Sequence, residues 1–281
     1  MLVACSKAGK DILEVYNSDD FSIEYKDKEK DSPLTKADKR SHKSIEAVIK
    51  NLIIGKDKEA FPILSEEGED IPYESRKEWS LFWLIDPLDG TKEFINRNGE
   101  FTVNIALVDK DKPVIGAVYV PVKDIMYFAG KDMGAYKLEH FNNILMKVDS
   151  NENEIDLMKE IITQSIKLSQ TKRSNNDISA VKVVASRSHM SKETEEFINK
   201  LKDKYDSIET TSAGSSLKLC MVAEGKADVY PRIAPTMEWD IAAAYVVVEE
   251  AGCDIYEWRT KKELKFNKSN LKNPYFVVST L

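Results

Sequence analysis

Three cysteines in a chain of 281 residues are too few for a covalent framework. Cys5, Cys220 and Cys253 form no CxxC pair, and an odd count leaves one thiol over. A reduced, cytoplasmic compartment is the simplest expectation. Long apolar runs are missing too: none approaches the roughly 20 residues of a spanning helix, so no transmembrane segment is expected. The opening "LVAC" has the outline of a lipoprotein cleavage box. It lacks a basic n-region and an apolar h-region, and so reads as the start of a helix short of part of its first turn. Nor is there a surplus of positive charge. Lys plus Arg total 41 against 48 Asp plus Glu, a formal charge of −7. Such a chain is a poor nucleic-acid binder, and it can take an anionic ligand only at a locally basic or metal-loaded site. No internal repeat is found, and no low-complexity segment beyond the charged "KDKEKDS".

What is present suits one large globular unit or two smaller ones, with 42% hydrophobic and 32% charged residues. Leu2, Ala4, Cys5, Ala8, Ile12, Leu13 and Tyr16 recur at helical spacing. A second amphipathic helix is expected over "SHKSIEAVIKNLI", entered through "PLTKADKR", with Ile45, Val48, Ile49 and Leu52 on one face. From residue 81 the pattern turns to strands: "LFWLID", "TVNIALVD", "PVIGAVYVP", "IMYFAG" and "GAYKLE", which predict a mostly antiparallel sheet. Residues 149–180 are polar and irregular, with one helix near "EIDLMKEIITQSI", and read as an insertion or linker. Residue 181 opens an α/β half: strand "VKVVAS", helix "SKETEEFINKLKDKY", a helix after Gly214, strand "ADVYP", helix "WDIAAAYVVVEEAG" and two final strands. Two domains are therefore expected, 1–180 and 181–281.

Four acidic segments sit where such elements begin or end. In "WLIDPLDGT" an apolar strand stops at Asp86, and Asp89 follows in the turn. Aspartate and glycine are ordinary turn residues. Two carboxylates and the Leu88 carbonyl at one turn also make a set of hard oxygen ligands suited to Mg²⁺. "LSEEGE" adds Glu66 and Glu67, which a solvated acidic loop would equally explain. Asp240 opens a helix, where aspartate is a favoured N-cap and a cation would be opposed by the helix dipole. Asp38, in "LTKAD", could likewise serve only as a cap. Each segment has a structural reading; together they support a cation site.

"WLIDPLDGT" and "WDIAAAYVVVEEAG" resemble the two signatures of the inositol monophosphatase family, and "SEE" resembles its metal-bridging glutamate segment. Longer stretches, from "YESRKEW" to "VYVPV" and over "SRSH", "TTSAGSSLKLCMVAEGKADVYPRIAPT" and "NPYFVVS", resemble the family's bacterial 3′(2′),5′-bisphosphate nucleotidases. The resemblance covers nearly the whole chain. It departs at 141–180 and at the short N-terminus, and neither departure touches a motif residue.

The resemblance implies an α/β (α+β) fold, the layered αβαβα sandwich shared with fructose-1,6-bisphosphatase. It implies two to three Mg²⁺ ions held by Glu66, Asp86, the Leu88 carbonyl, Asp89 and Asp240. Asp38 and Thr91 fall where the family positions the attacking water, which makes Asp38, Glu66 and Thr91 the expected catalytic residues. No phosphoenzyme is expected.

Several residues bear on the substrate. Backbone N–H groups of Gly90 and Thr91 could hold phosphate oxygens. Ser215, Ser216 and Lys218 of "GSSLK" open a helix, which is either an anion site or an ordinary capped end. Arg232 lies in the loop leading to Asp240, where inositol monophosphatases carry an acidic residue, and an arginine suits a second phosphate unless it is merely on the surface. His189 of "SRSH" could meet a purine or be structural. Lys92 and Glu93 stand where inositol monophosphatases show a less charged pair. These features favour a small-molecule nucleotide with two separated phosphates.

By resemblance the substrate is 3′-phosphoadenosine 5′-phosphate, cleaved to AMP and phosphate in sulfur assimilation, with inhibition by Li⁺ and Ca²⁺. The rival readings are an inositol-type polyol phosphatase, a fructose-1,6-bisphosphatase and a non-catalytic metal- or nucleotide-binding regulator. A monomer or homodimer is expected. Some relatives are peripheral to the inner membrane, but the basic amphipathic helix that would explain such an association is lacking.

Overall fold

The structure, a computed structural model, describes residues 1–18, 21–25, 33–51, 60–147, 154–170, 180–185 and 191–281. The chain starts with α1 (Leu2–Tyr16), a ribbon of β1 (Glu24–Tyr25) and β2 (Pro33–Leu34), and α2 (Lys36–Ile49). A seven-stranded sheet follows in chain order: β3 (Ile63–Ser65), β4 (Leu81–Asp89), β5 (Thr102–Asp109), β6 (Lys112–Val120), β7 (Ile125–Gly130), β8 (Gly134–Glu139) and β9 (Ile166–Leu168). Between these strands lie α3 (Tyr73–Arg76), α4 (Thr91–Ile95), α5 (Phe141–Lys147) and α6 (Glu154–Gln164). β3 is parallel to β4, and the remaining neighbours are antiparallel.

A mixed five-stranded sheet is built from β10 (Ala180–Ala185), β11 (Ser207–Ser212), β12 (Val229–Arg232), β13 (Asp254–Glu257) and β14 (Phe276–Ser279), in the order β11-β10-β12-β14-β13. Its helices are α7 (Lys192–Lys202), α8 (Leu217–Ala223) and α9 (Glu238–Glu250).

The layers follow from side-chain parity. Along β4, Phe82 and Leu84 join the core around α9, whereas Trp83 and Ile85 join the core around α1 and α2. β5 divides in the same way, with Ala106 and Val108 on one face and Val103, Ile105 and Leu107 on the other. Strands covered on both faces read as continuous apolar runs rather than alternating ones. α9 lies across β4 to β8 and also meets β13, while α8 reaches β10, β12 and β14. These two helices fill the space between the sheets, and α7 covers the far face of the second. The result is the expected αβαβα sandwich. At Gly116 a Cβ would lie 2.2 Å from the Ala243 carbonyl oxygen, so β6 and α9 meet backbone to backbone, which only glycine allows. One core cluster holds Leu84 and Val118 together with Val246 and Val278, so the sheets of 1–180 and 181–281 share an interior.

Several expectations are corrected. α2 starts at Lys36, earlier than "SHKSIEA" suggests, because Thr35 and Asp38 form a capping box. Residues 149–180 are more than a linker: α6 buries Ile161, and β9 pairs with β8 through Ala135 and Leu168, adding a strand to the large sheet. β11 went unread because "SIETTS" is an exposed edge strand with no apolar face. The fold thereby brings the end of β4, the end of β3, the start of α2 and the start of α9 to one place.

Candidate active site

β4 does not end cleanly. Asp86 is paired with Asn104 and Asp89 with Thr102, and the register shifts between them. Such a bulge re-aims side chains. Three contacts hold it. The Leu88 N–H donates to Asp86 Oδ1 at 3.0 Å, Ser41 Oγ donates to the Pro87 carbonyl at 2.7 Å, and the Leu88 side chain is buried in the core. Asp86 has the parity of Phe82 and Leu84, so it faces the α9 layer. Gly90 then adopts φ +91°, a left-handed turn that suits glycine, and α4 begins at Thr91.

The Thr91 hydroxyl lies 3.2 Å from Asp38 Oδ1 and 3.4 Å from the Leu88 carbonyl oxygen. Asp38 is itself fixed, since its Oδ2 accepts from the Thr35 N–H at 2.7 Å and the Thr35 hydroxyl at 2.6 Å. It therefore caps α2 and reaches the site with its other oxygen.

Glu66 arrives through the parallel pairing of β3 with β4, and its N–H donates to the Ile85 carbonyl at 3.1 Å. Asp240 is not the N-cap expected from sequence. It sits in the first turn of α9, and its Oδ2 accepts from the Met237 N–H at 2.9 Å. Glu66, Asp86 and Asp240 each bring one oxygen to within 4.8 Å of the others.

Burial, then repulsion from Glu66, Asp89, Asp240 and Asp38, holds the Asp86 carboxyl well above its ordinary range. Burial, with Asp89 and Glu66, does the same for Asp240. Asp89 is pushed up to about 6, where burial outweighs the attraction of Lys218 and the hydrogen bond from Ser216. Carboxylates raised in this way take up either a proton or a cation. Hard, clustered oxygens favour a divalent cation, and the residues present fit one.

The loop before α8 closes the other side. The Ser216 N–H donates to Asp89 Oδ2 at 2.6 Å, and Ser215 takes φ +46°, a strained value for a residue with a side chain. The free first-turn donors expected at "GSSLK" are thus partly spent on Asp89. Lys218 also departs from expectation. It is 4% exposed, and its ammonium donates to the Ala213 and Ser215 carbonyls at 3.1 and 2.7 Å. Burial lowers its pKa to about 8. Two of its three N–H donors thus brace the loop from within.

A Cβ at Gly214 would lie 2.5 Å from the Glu100 carbonyl oxygen and 2.6 Å from Glu93 Cγ, and the Gly214 N–H donates to Glu100 Oε2 at 3.0 Å. Arg232 ends β12. It donates to the Pro235 carbonyl at 2.7 Å, and among the described residues its buried Nε has no partner. His189 lies outside the described residues. Sequence reading passed over Asn104, Thr102, Ser41 and Glu100. For Asn104 a signal existed, a polar residue inside the apolar run of β5.

The inositol monophosphatase family model matches residues 2–279. The chain belongs to the inositol monophosphatase family. It is 39% identical over 272 residues to the 3′(2′),5′-bisphosphate nucleotidase CysQ of Salmonella typhimurium, covering 97% of this chain and 95% of that one. The Escherichia coli K12 protein of the same name is 39% identical over 273 residues, with the same coverage. The crystal structure of CysQ from Bacteroides thetaiotaomicron, a bacterial member of the family, superposes with a TM-score of 0.82 at 43% identity, covering 98% of this chain and 94% of that one. The extragenic suppressor protein SuhB from Bartonella henselae, at 20% identity and a TM-score of 0.71 over 99% of this chain and 92% of that one, shares the fold. Inositol monophosphatase family members generally use divalent metal, in keeping with the carboxylate cluster. Among the described residues no helix is long and apolar enough to cross a membrane.

Proposed function

We propose that this chain is a Mg²⁺-dependent 3′(2′),5′-bisphosphate nucleotidase that hydrolyses 3′-phosphoadenosine 5′-phosphate to AMP and phosphate. The observation that carries the reading is full-length similarity to proteins of that name, on a chain whose Glu66, Asp86 and Asp240 carboxylates cluster. Glu66, Asp86 and the Leu88 carbonyl would hold one ion, Asp86, Asp89 and Asp240 would hold a second, and Glu66 would help to hold a third. Bound Mg²⁺ supplies a more acidic water and neutralises phosphoryl oxygens.

The protein's own groups do the rest. Asp38 and the Leu88 carbonyl orient the Thr91 hydroxyl, which leaves its lone pairs free to accept a hydrogen from the attacking water. Gly90 and Thr91 N–H groups receive phosphate oxygens. Ser215 and Ser216 line the opposite wall, and Lys218 keeps that wall in shape. Arg232, whose buried Nε has no partner among the described residues, is assigned to the second phosphate, and His189 to the purine. Inhibition by Li⁺ and Ca²⁺, a cytoplasmic location and a place in sulfur assimilation go with this reading.

The test is phosphate release in Mg²⁺ from 3′-phosphoadenosine 5′-phosphate and inositol 1-phosphate, side by side. A strong preference for the nucleotide is expected. A preference for inositol phosphate would leave the metal mechanism standing and remove the role of Arg232. Mg²⁺ binding without turnover of either would point to a regulator.

A further inference from the structure

Asn104 sits in the middle of β5 and is 1% exposed. A buried amide costs free energy unless its donors and acceptor are used. Here they are spent on the candidate active site. Its Oδ1 accepts from the Ser216 hydroxyl at 2.9 Å. The Thr102 hydroxyl lies 3.1 Å from the same oxygen and 2.9 Å from Ser216 Oγ. Its Nδ2 faces Asp89 Oδ2 and the Asp240 carbonyl oxygen, each at 3.5 Å. That is long for a hydrogen bond. Turning the amide over would set Oδ1 against the Asp89 carboxylate, acceptor against acceptor. The two hydroxyls and the carboxylate therefore agree on one orientation.

The same Asp89 oxygen accepts from the Ser216 N–H. A single amide thus joins three elements that meet only in the fold: the β4 bulge with Asp89, the first turn of α9 with Asp240, and the loop before α8 with Ser216. We propose that Asn104 is a positioning residue for the cation site, which aims the Asp89 carboxylate by tying it to Ser216 and to the start of α9. Asn104 touches neither substrate nor the reacting atoms in this role; it sets cation affinity. The inference rests on the metal-dependent reading above, but its test does not need turnover.

Mg²⁺ affinity is measured by calorimetry without substrate, well below the melting temperature, for wild type, Asn104→Ala, Thr102→Val and Thr102→Ser. Partners of metal ligands typically contribute 10–100-fold to affinity. Asn104→Ala is expected to weaken Mg²⁺ binding by about 10-fold or more. Thr102→Val, which removes one of the two hydroxyls that hold the amide, should weaken it in the same direction, and Thr102→Ser should restore it. A merely structural role would lower the melting temperature in EDTA without moving Mg²⁺ affinity. Asn104→Ala binding Mg²⁺ as tightly as wild type overturns the inference. If Asn104→Ala does not fold, the threonine pair decides, and equal affinities for Thr102→Val and wild type overturn it. A wild-type chain that binds Mg²⁺ but releases no phosphate removes the nucleotidase reading and leaves this inference intact. A wild type with no measurable Mg²⁺ affinity removes both.

Discussion

Asp86→Asn should make the metal-free protein more stable and the enzyme inactive. Asp86 is 1% exposed and shares its space with Glu66 and Asp240, with one oxygen of each within 4.8 Å of the others. At an effective dielectric constant near 20, two charges at that separation repel by roughly 3 kcal/mol. Partial protonation relieves part of this, so removing the Asp86 charge should gain about 2 kcal/mol at neutral pH without metal. The amide keeps an acceptor for the Leu88 N–H that now donates to Asp86 Oδ1, so the bulge survives. For a chain of 281 residues, 2 kcal/mol corresponds to a rise in Tm of about 3 °C.

Mg²⁺ should reverse the order. It binds the folded wild type and raises its Tm by mass action, whereas the variant, short of a bridging ligand, responds little. Phosphate release should fall by more than the roughly 10–100-fold that changes outside the ligand set cost. The assay is a pair of thermal melts, in EDTA and in Mg²⁺, beside the activity measurement. A variant less stable than wild type in EDTA, or one stabilised by Mg²⁺ as strongly as wild type, would refute the reasoning.

Further outcomes follow from the same geometry. The stability gap between Asp86→Asn and wild type in EDTA should widen as pH rises. Carboxyls raised in the folded state favour it while protonated and lose that contribution as pH climbs through their folded pKa, about 6 for Asp89 and well above the ordinary carboxylate range for Asp86 and Asp240. Melts in EDTA from acid to mildly alkaline pH check this, and a gap that narrows would contradict the cluster. Gly214→Ala drives a Cβ against the Glu100 carbonyl and Glu93, and should cost roughly 1–3 kcal/mol in a melt and raise KM as the loop shifts off Asp89. Thr91→Val keeps the shape but removes the hydroxyl. It should lower kcat by about 10²–10⁴-fold while calorimetry finds Mg²⁺ affinity unchanged, and a matched loss of affinity would place Thr91 among the ligands instead.

Much of this was open to a reader of the sequence. Strands β4 to β8 were legible because each is a compact run of β-formers bounded by turn residues. The candidate metal carboxylates were legible only as four acidic segments, each with a plain capping or turn explanation. Asp38 shows how both can hold: one oxygen closes the capping box with Thr35 and the other receives Thr91. Lys218 shows the limit. Its position in a first helical turn suggested an anion ligand, yet its ammonium is spent on the Ala213 and Ser215 carbonyls. Side-chain direction depends on which neighbour lacks a donor, and that is not written locally.

The sequence by itself determined most element types, the αβαβα layering through its motifs, and the set of candidate oxygen ligands. Those depend on periodicity and residue chemistry within short windows. Only the tertiary structure decided that Glu66, Asp86 and Asp240, more than 150 positions apart at the extremes, face one another, since strand parity and the β4 bulge aim Asp86 toward α9. It also decided that the polar strand "SIETTS" and the short β9 ("IKL") are sheet, because edge pairing needs a neighbour rather than an apolar face. Asn104 belongs mostly to this second class. Thr102 stands two residues away, but Asp89, Ser216 and Asp240 reach the amide only through chain crossings that the fold creates.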